Sequence, residues 1–449
     1  MTELYRLFRD CGSRVTTDSR AIQGGEIFFA LRGENFDGND YAAASLEKGA
    51  AYAVVNDDAP LGDDPRLIKV KDPLQTLKDL AREHRDCVLE GRKSPVCGIE
   101  GHLPVIGLTG TNGKTTTKEL TAAVLGAKYR VCATKGNLNN DIGVPLSVLS
   151  ITPDCDIAVI EMGANHPDDI EKLVKVSCPD YGIITNVGKA HLLGFGSFEG
   201  VKQAKGALYR DLATREGSVI FLNEDDADLC GMAGMLPCHT YGYGLRYEGA
   251  EVLPTSPDEP FVRISLPSGR VLCSRLVGAY NATNMLAALA VGRYFGVPEE
   301  DAVAAIEAYE PKNNRSQMMR TASNTLIVDA YNANPSSMAA ALDNFAAMQA
   351  PVKVAMLGDM RELGDDSVKE HVKVVWKLTT EGLDAYLVGE EFRKAMDQLE
   401  LTPGDGSVKG WFASSEELAS FVKANPLSNA AVLVKGSRGI QMEKVLTEL

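Results

Sequence analysis

The chain has 449 residues and a formal net charge of −15 at pH 7, with a pI near 5.0. At about 150 residues per domain, this length corresponds to roughly three domains, each able to bury a core of its own. An apolar content of 45% against 24% charged residues excludes a collagen, a coiled coil or a disordered polymer. The acidic balance also lacks the positive field that non-specific nucleic-acid binding requires. Small anions stay within reach, because backbone N–H groups bind them locally. No stretch approaches the roughly 18 apolar residues of a membrane span, and Glu3, Arg6 and Arg9 near the start do not read as a signal peptide. A cytoplasmic location is therefore expected. The nine cysteines are odd in number and scattered, and none forms a C-x-x-C pair. They are expected to be reduced and structural.

In chain order, Glu26–Leu31 reads as a strand, Ala42–Ala50 as an alanine-rich helix and Ala51–Val55 as a second strand. The polar stretch Glu90–Pro95 reads as a linker. Then come a short apolar run, Pro104–Thr109, a glycine-bearing turn, and helix formers from Lys118 to Gly126, the order strand, loop, helix. Buried-strand candidates follow at Asp156–Ile160, Tyr181–Thr185 and Val219–Leu222, with helix-length intervals between them, the rhythm of a parallel α/β sheet. The rhythm restarts at Leu326–Val328, Val352–Leu357, Ala385–Val388 and Ala431–Val434, which predicts a second doubly wound domain. Pro311 disfavours helix continuation and suggests the second boundary. The expected fold class is α/β in three domains: a smaller N-terminal α/β domain over residues 1–97, a central mononucleotide-binding parallel sheet over 98–310, and a C-terminal Rossmann-like domain over 311–449.

Gly110, Thr111, Asn112, Gly113, Lys114, Thr115 and Thr116 stand between a predicted strand and a predicted helix, where backbone N–H groups and the helix dipole face an anion. Glycines let the backbone wrap phosphate oxygens, Lys114 can reach the β- and γ-phosphates, and the Thr115 hydroxyl can ligate magnesium. The loop departs from the general phosphate-loop pattern, since the position five before Gly113 is Leu108. Glu161 and His191 follow predicted strand ends, where ligands of open α/β sheets bind, and could join Thr115 around phosphate-bound magnesium. On spacing alone His191 also reads as a loop histidine, and Lys205 as a solvated helix lysine.

Four segments taken together, Thr109–Thr115, Glu161–Ala164, Ile184–His191 and Asn281–Asn284, resemble the Mur ligases, the ATP-dependent amide-forming enzymes of peptidoglycan synthesis. The likeness runs through essentially the whole chain. Asp329–Met338, Leu357–Gly364, His371 and Val434–Gly439 resemble the members that add the terminal dipeptide. Thr17–Arg20 and Gly33–Gly38 resemble the uridine-nucleotide-binding domain that those members share with the third-residue-adding ligase. The Asp-Asn-Pro-Arg motif of that ligase is absent from this chain.

The resemblance implies ATP and two magnesium ions as cofactors, and UDP-N-acetylmuramoyl-tripeptide and D-alanyl-D-alanine as substrates. Either diaminopimelate or lysine as third residue is compatible with the motifs. It implies that Lys114 holds the ATP phosphates, that Thr115 and Glu161 ligate one magnesium, and that His191 and a carbamylated Lys205 serve the second. By the same likeness Asn281 and Asn284 lie near the adenine, Arg315 reaches the γ-phosphate and Asp329 the ribose. Ser19, Arg20 and Asp37 would bind the uridine nucleotide, and Asn332, Asn334, Lys435 and Arg438 the remaining substrate. The chain has Tyr280 where the family commonly has His, and Ala330 where it commonly has a second Asp. Arg361–Ser367 and His371 either contact the dipeptide or form a solvated loop and helix face, and Lys435 and Arg438 either bind substrate carboxylates or are structural. A monomer is expected. Another ligase of the superfamily, such as folylpolyglutamate synthase or the third-residue-adding enzyme, and a non-catalytic ATP-binding module remain as alternatives.

Overall fold

In the computed structural model, which describes residues 1–255, 260–311 and 315–449, the chain folds around three mainly parallel sheets. The N-terminal sheet runs β1 (Val15–Thr16), β2 (Ile27–Phe29), β3 (Tyr52–Asn56) and β4 (Leu67–Val70) side by side, all parallel. Helix α1 (Pro73–Cys87) follows. Asp72 caps it by accepting from the Leu74 and Gln75 N–H groups, with proline at the first helical position, a combination that removes orphan donors at the helix start.

The central sheet has six parallel strands, β5 (Val105–Thr109), β6 (Val131–Ala133), β7 (Ile157–Glu161), β8 (Tyr181–Ile184), β9 (Val219–Asn223) and β10 (His239–Tyr243), in the order β10-β9-β8-β5-β7-β6. Its strands bury both faces. Ala158, Ile160, Ile184 and Ile220 enter one apolar core, while Ile157, Val159, Ile183 and Phe221 enter the other. This explains the uninterrupted apolar runs in the sequence. Helices α2 (Lys114–Gly126) and α5 (Asn281–Tyr294) cover the second face. Helices α3 (Gly143–Leu149) and α4 (Phe198–Leu212) cover the first. A small antiparallel sheet, β11 (Glu251–Leu253), β12 (Arg263–Ser265) and β13 (Val271–Cys273), is inserted before α5.

The third sheet combines β14 (Gln317–Arg320), β15 (Thr325–Asp329), β16 (Val352–Gly358), β17 (Asp384–Val388), β18 (Val408–Phe412) and β19 (Ala430–Lys435) in the order β14-β15-β19-β16-β17-β18. Only the edge strand β14 is antiparallel to its neighbour. Helices α6 (Pro335–Ala347) and α7 (Ser367–Glu381) pack on one face.

Two expectations change. The linker expected at Glu90–Pro95 is instead an ordered ribbon, Leu89–Lys93 against Glu100–Gly101. Arg92 fixes it by donating to the Pro153 and Cys155 carbonyls at 2.7 Å and pairing with Asp156, which also takes Arg130. Polarity there marks ion-pair partners rather than solvent. The phosphate-loop helix also begins at Lys114, four residues ahead of the expected Lys118.

The N-terminal and central units share one core: Tyr5, Phe8 and Leu77 belong to the same apolar cluster as Val105, Val144 and Val148. At this seam His84, 1% exposed, contacts the Tyr5 hydroxyl through Nδ1 at 3.2 Å and the Ile151 carbonyl through Nε2 at 2.8 Å. Burial lowers its affinity for a proton, so the ring is held neutral. The unfolded chain takes up that proton below its ordinary pKa of about 6.5, whereas the folded chain resists it, so stability is complete above that pH and is lost as pH falls through it. The midpoint of urea unfolding should drop between pH 7.5 and 5.5. In His84→Gln the drop should be smaller, although the variant starts less stable; an equal drop would remove His84 as the cause.

Candidate active site

The registers of the central sheet bring three strand ends to one level: Leu108 of β5 lies beside Glu161 of β7 and beside Ile183 of β8. The loops that follow these strands therefore meet in one cleft of about 520 Å³. Gly110 to Lys114 turns the chain from β5 into α2. Gly110 has φ +148°, and a Cβ there would lie 1.9 Å from Thr185 Oγ1, so no side chain fits. Gly113 has φ +77° and faces the Asn284 amide. The loop is also tied from β8: Thr185 Oγ1 donates to the Asn112 carbonyl at 2.6 Å, while Asn186 accepts from the Asn112 N–H and donates to its carbonyl, both at 3.0 Å. Lys114 folds back over the loop, donating to the Gly110 and Thr111 carbonyls at 2.8 and 3.1 Å. Burial, opposed by Glu161 and aided by Arg315, lowers its proton affinity. Thr116 lines the same cleft.

Glu161, 1% exposed, ends β7. Its Oε1 accepts from Thr115 Oγ1 at 3.1 Å and from Asn139 Nδ2 at 2.8 Å, while its Oε2 has no hydrogen-bond partner. Lys118 Nζ stands 3.9 Å from that oxygen and donates to the Thr134 carbonyl. A buried carboxylate oxygen without a partner is costly unless something else binds it. Lys205, on α4, is 2% exposed, which overturns the solvated-helix reading. Burial, then the like charge of Lys114, pushes its amine well below the usual lysine range. It lies outside the lining of the cleft, with its Nζ over the Phe195 ring at 5.9 Å. Among the described residues, no three His, Cys, Asp or Glu side chains come together.

The third sheet supplies the opposite wall. Arg315 stacks 3.5 Å from the centre of the Tyr331 ring, and the exposed Arg438 lies 5.5 Å from the same centre. Asp329 pairs with Lys435, itself 1% exposed, and accepts from the Ser316 N–H at 3.3 Å. Lys435 also reaches the Asn332 carbonyl at 3.4 Å. Asn334 caps α6 reciprocally with Ser337 and crosses the seam, donating from Nδ2 to Asn112 Oδ1 at 2.8 Å. Two more contacts cross it: Lys189 N–H to Ser336 Oγ at 3.2 Å, and Lys189 Nζ to Glu370 at 3.6 Å. Asn281, Asn284 and Tyr280 line the cleft from α5 and its approach. Asn284 donates to Asn281 at 2.9 Å and accepts from Thr117 at 3.1 Å, and the Tyr280 hydroxyl meets Ser316 Oγ at 3.0 Å.

His191 lines the cleft with φ +51°, and its Nδ1 meets the carboxylate of Glu362, which has φ +65° and comes from the third unit. The contact with His191 holds the Glu362 carboxyl below its usual range. Two left-handed non-glycine residues in contact cost on the order of 1 kcal/mol each. His371 is neither a surface nor a cleft residue. It is fully buried, accepting from the Met360 N–H at 2.9 Å through Nε2 and contacting the Ser367 carbonyl through Nδ1, so it shapes the Arg361–Ser367 loop from behind. Ser19, Arg20 and Asp37 lie outside the cleft lining. Arg20 is exposed and holds the Asp18 carboxyl down at about 2, and Asp37 caps the turn Gly38–Tyr41 and pairs with Arg32.

Asn139, Asn186, Lys118, Tyr331 and Glu362 were not singled out from sequence. For Asn139 a signal existed, the asparagine-rich run Lys135–Asn140 that follows the short strand β6. As a whole the cleft is a cradle of backbone N–H groups and lysines fit for a polyphosphate, with one under-bonded carboxylate and one hydroxyl fit for a hard cation.

Known proteins resemble the chain over nearly its whole length. Residues 108–292 match a family model described as Mur ligase middle domain, 314–438 one described as Mur ligase, glutamate ligase domain, and 13–85 one described as Mur ligase family, catalytic domain. The chain is 34% identical to the UDP-N-acetylmuramoyl-tripeptide--D-alanyl-D-alanine ligase of Escherichia coli, over 97% of this chain and 93% of that one. A crystal structure of MurF from Acinetobacter baumannii superposes with a TM-score of 0.81 at 29% identity, covering 97% and 93% of the two chains. MurF ligase from Thermotoga maritima, solved in complex with ADP, superposes with a TM-score of 0.82 at 25% identity, covering 100% and 98%.

Gly110→Ala should weaken binding of a fluorescent ATP analogue by about tenfold or more while the far-ultraviolet circular dichroism stays unchanged, because the added Cβ displaces the loop and not the sheet. Undiminished binding would show that the loop does not hold the phosphates.

Proposed function

The chain belongs to the Mur ligase family, and from that premise we propose that it joins D-alanyl-D-alanine to UDP-N-acetylmuramoyl-tripeptide at the expense of ATP, the last cytoplasmic step of peptidoglycan precursor synthesis. The observation that carries the reading is a likeness to a ligase of that activity that extends over 97% of the chain and so includes all three units. We propose a monomer as its working form.

A carboxylate is a poor electrophile, so the tripeptide carboxylate first takes the γ-phosphoryl group of ATP and becomes an acyl phosphate. The free amine of D-alanyl-D-alanine then attacks the carbonyl carbon, and the tetrahedral adduct expels inorganic phosphate to leave the amide. The protein's part is positioning and charge compensation. In this proposal the loop N–H groups and Lys114 hold the phosphate chain, and Arg315 approaches the γ-phosphoryl group from the third unit. Asn281 and Asn284 flank the adenine, and Asp329 the ribose. Ser19, Arg20 and Asp37 take the uridine end, with Asn332, Asn334, Lys435 and Arg438 on the remaining substrate.

The free Oε2 of Glu161 beside the Thr115 hydroxyl fits a hard cation. Two magnesium ions would be held, one by Thr115 and Glu161 and one by His191 and Lys205, and would supply positive charge against the phosphoryl oxygens. Lys205 suits that role only after modification. Its buried amine sheds its proton readily and can add to carbon dioxide, losing a proton and becoming an oxygen-bearing anion.

Phosphate release from ATP should require both UDP-N-acetylmuramoyl-tripeptide and D-alanyl-D-alanine and should yield the pentapeptide by mass. Turnover with a free diamino acid on the dipeptide precursor would instead indicate the preceding ligase, and absence of turnover a binding module. Lys205→Ala should lose about a hundredfold or more in kcat and recover part of it in formate or acetate; failure of any carboxylate to restore activity would argue against the carbamate.

A further inference from the structure

The contact between His191 and Glu362 joins two units of the chain and is not explained by either unit's own fold. His191 Nδ1 meets Glu362 Oε2, and the Leu193 N–H donates to the Glu362 carbonyl at 3.3 Å. Both residues hold left-handed backbone angles without being glycine, φ +51° and +65°, and such conformations persist only where surrounding contacts over-determine them. The centre of the Phe195 ring stands 6.5 Å from that of the imidazole, with the two planes at 78°, and Nδ1 meets the carboxylate as a close ion-pair contact rather than an aligned hydrogen bond. With Nδ1 turned to the carboxylate, Nε2 is the ring nitrogen left to the cleft that His191 lines.

We infer that Glu362 is a positioning residue: from the third unit it fixes the orientation and tautomer of His191, keeping the proton on Nδ1 and the lone pair on Nε2, so that the histidine is ready to ligate only when the two units are together. This rests on the reading of His191 as a metal ligand proposed above. A carboxylate behind a ligating imidazole is a general way of fixing its tautomer. What is particular to this chain is that the carboxylate arrives from another unit, on a loop shaped from behind by the buried His371. Assembly of the cation site is thereby made conditional on contact between the central and third sheets.

The test uses the full-length chain and four variants: Glu362→Gly, Glu362→Asp, His191→Ala and the double variant His191→Ala/Glu362→Gly. Glycine suits φ +65° better than glutamate does, so Glu362→Gly should melt no lower than the parent while lacking the carboxylate. Three readouts are taken: the imidazole nitrogen shifts of 15N-histidine-labelled protein, Mn2+ binding by electron paramagnetic resonance with a non-hydrolysable ATP analogue, and ligase kinetics. The expected result is loss of the Nδ1-protonated signature of His191 in Glu362→Gly, weakening of one Mn2+ class by about tenfold or more, and a similar fall in kcat with KM for ATP little changed. Glu362→Asp should recover part of each, and the double variant should be no worse than His191→Ala. If His191→Ala is impaired while Glu362→Gly matches the parent, or if Glu362→Gly costs as much in the His191→Ala background as alone, the positioning role is overturned. If His191→Ala itself binds Mn2+ and turns over like the parent, the metal-ligand reading of His191 fails instead.

Discussion

The register of three parallel strands is the constraint on which the cleft rests. Because Leu108 of β5 is level with Glu161 of β7 and with Ile183 of β8, the loops beyond them emerge at one height. A carboxylate, a phosphate-sized loop and a histidine then meet without any long side chain having to reach. A slip of one residue in a buried parallel strand exchanges its two faces, and here the faces belong to different cores. Packing therefore enforces the register that chemistry needs. The remaining geometry is secondary to this: Gly110 fits because Thr185 stands beside it, and Asn186 binds Asn112 because β8 ends where β5 ends.

Charge inside the cleft is unbalanced by design of the fold. Lys114 lines the cleft, and Lys118 and Lys205, both 2% exposed, are buried behind it, with Lys118 3.9 Å from Glu161 and 3.7 Å from Glu119. Burying cations without enough anions is unfavourable, and Lys205 answers by giving up its proton easily. An incoming polyanion completes the balance, so the surplus of positive charge favours binding. The same logic explains why Glu161 Oε2 stays without a hydrogen bond: a donor there would compete with a cation.

Much of this was legible in the sequence because it is local. Strand, glycine turn and helix around Lys114 are set by near neighbours in the chain, and the strands of both large sheets announced themselves through apolar runs. The short strand Val131–Ala133 and the edge strands His239–Tyr243, Gln317–Arg320 and Val408–Phe412 did not, because edge and short strands bury too little to carry a pattern. Arg92 read as part of a polar linker because its partner Asp156 is 64 residues away. Asn334 and Asn112, 222 residues apart, and the pairing of His191 with Glu362 depend on how two units dock, and no periodicity encodes that. Lys205 shows the opposite failure: a helix position that looks solvated is buried because α4 lies against the central sheet.

The two seams of the chain are built differently. The N-terminal and central units are fused through one apolar core containing Phe8, Leu77, Val105 and Val148. Around the cleft, by contrast, the third unit is held by Asn112 to Asn334, by Lys189 to Ser336 and Glu370, and by His191 to Glu362. Polar contacts of this kind are each worth about 1 kcal/mol and re-form with water when broken. The third unit is joined to the central one by apolar packing as well, since Val277 enters its core and Phe261 packs against it. Next to the phosphate loop, then, the joint is one that water can compete for, whereas the apolar joint with the N-terminal unit offers water no partner.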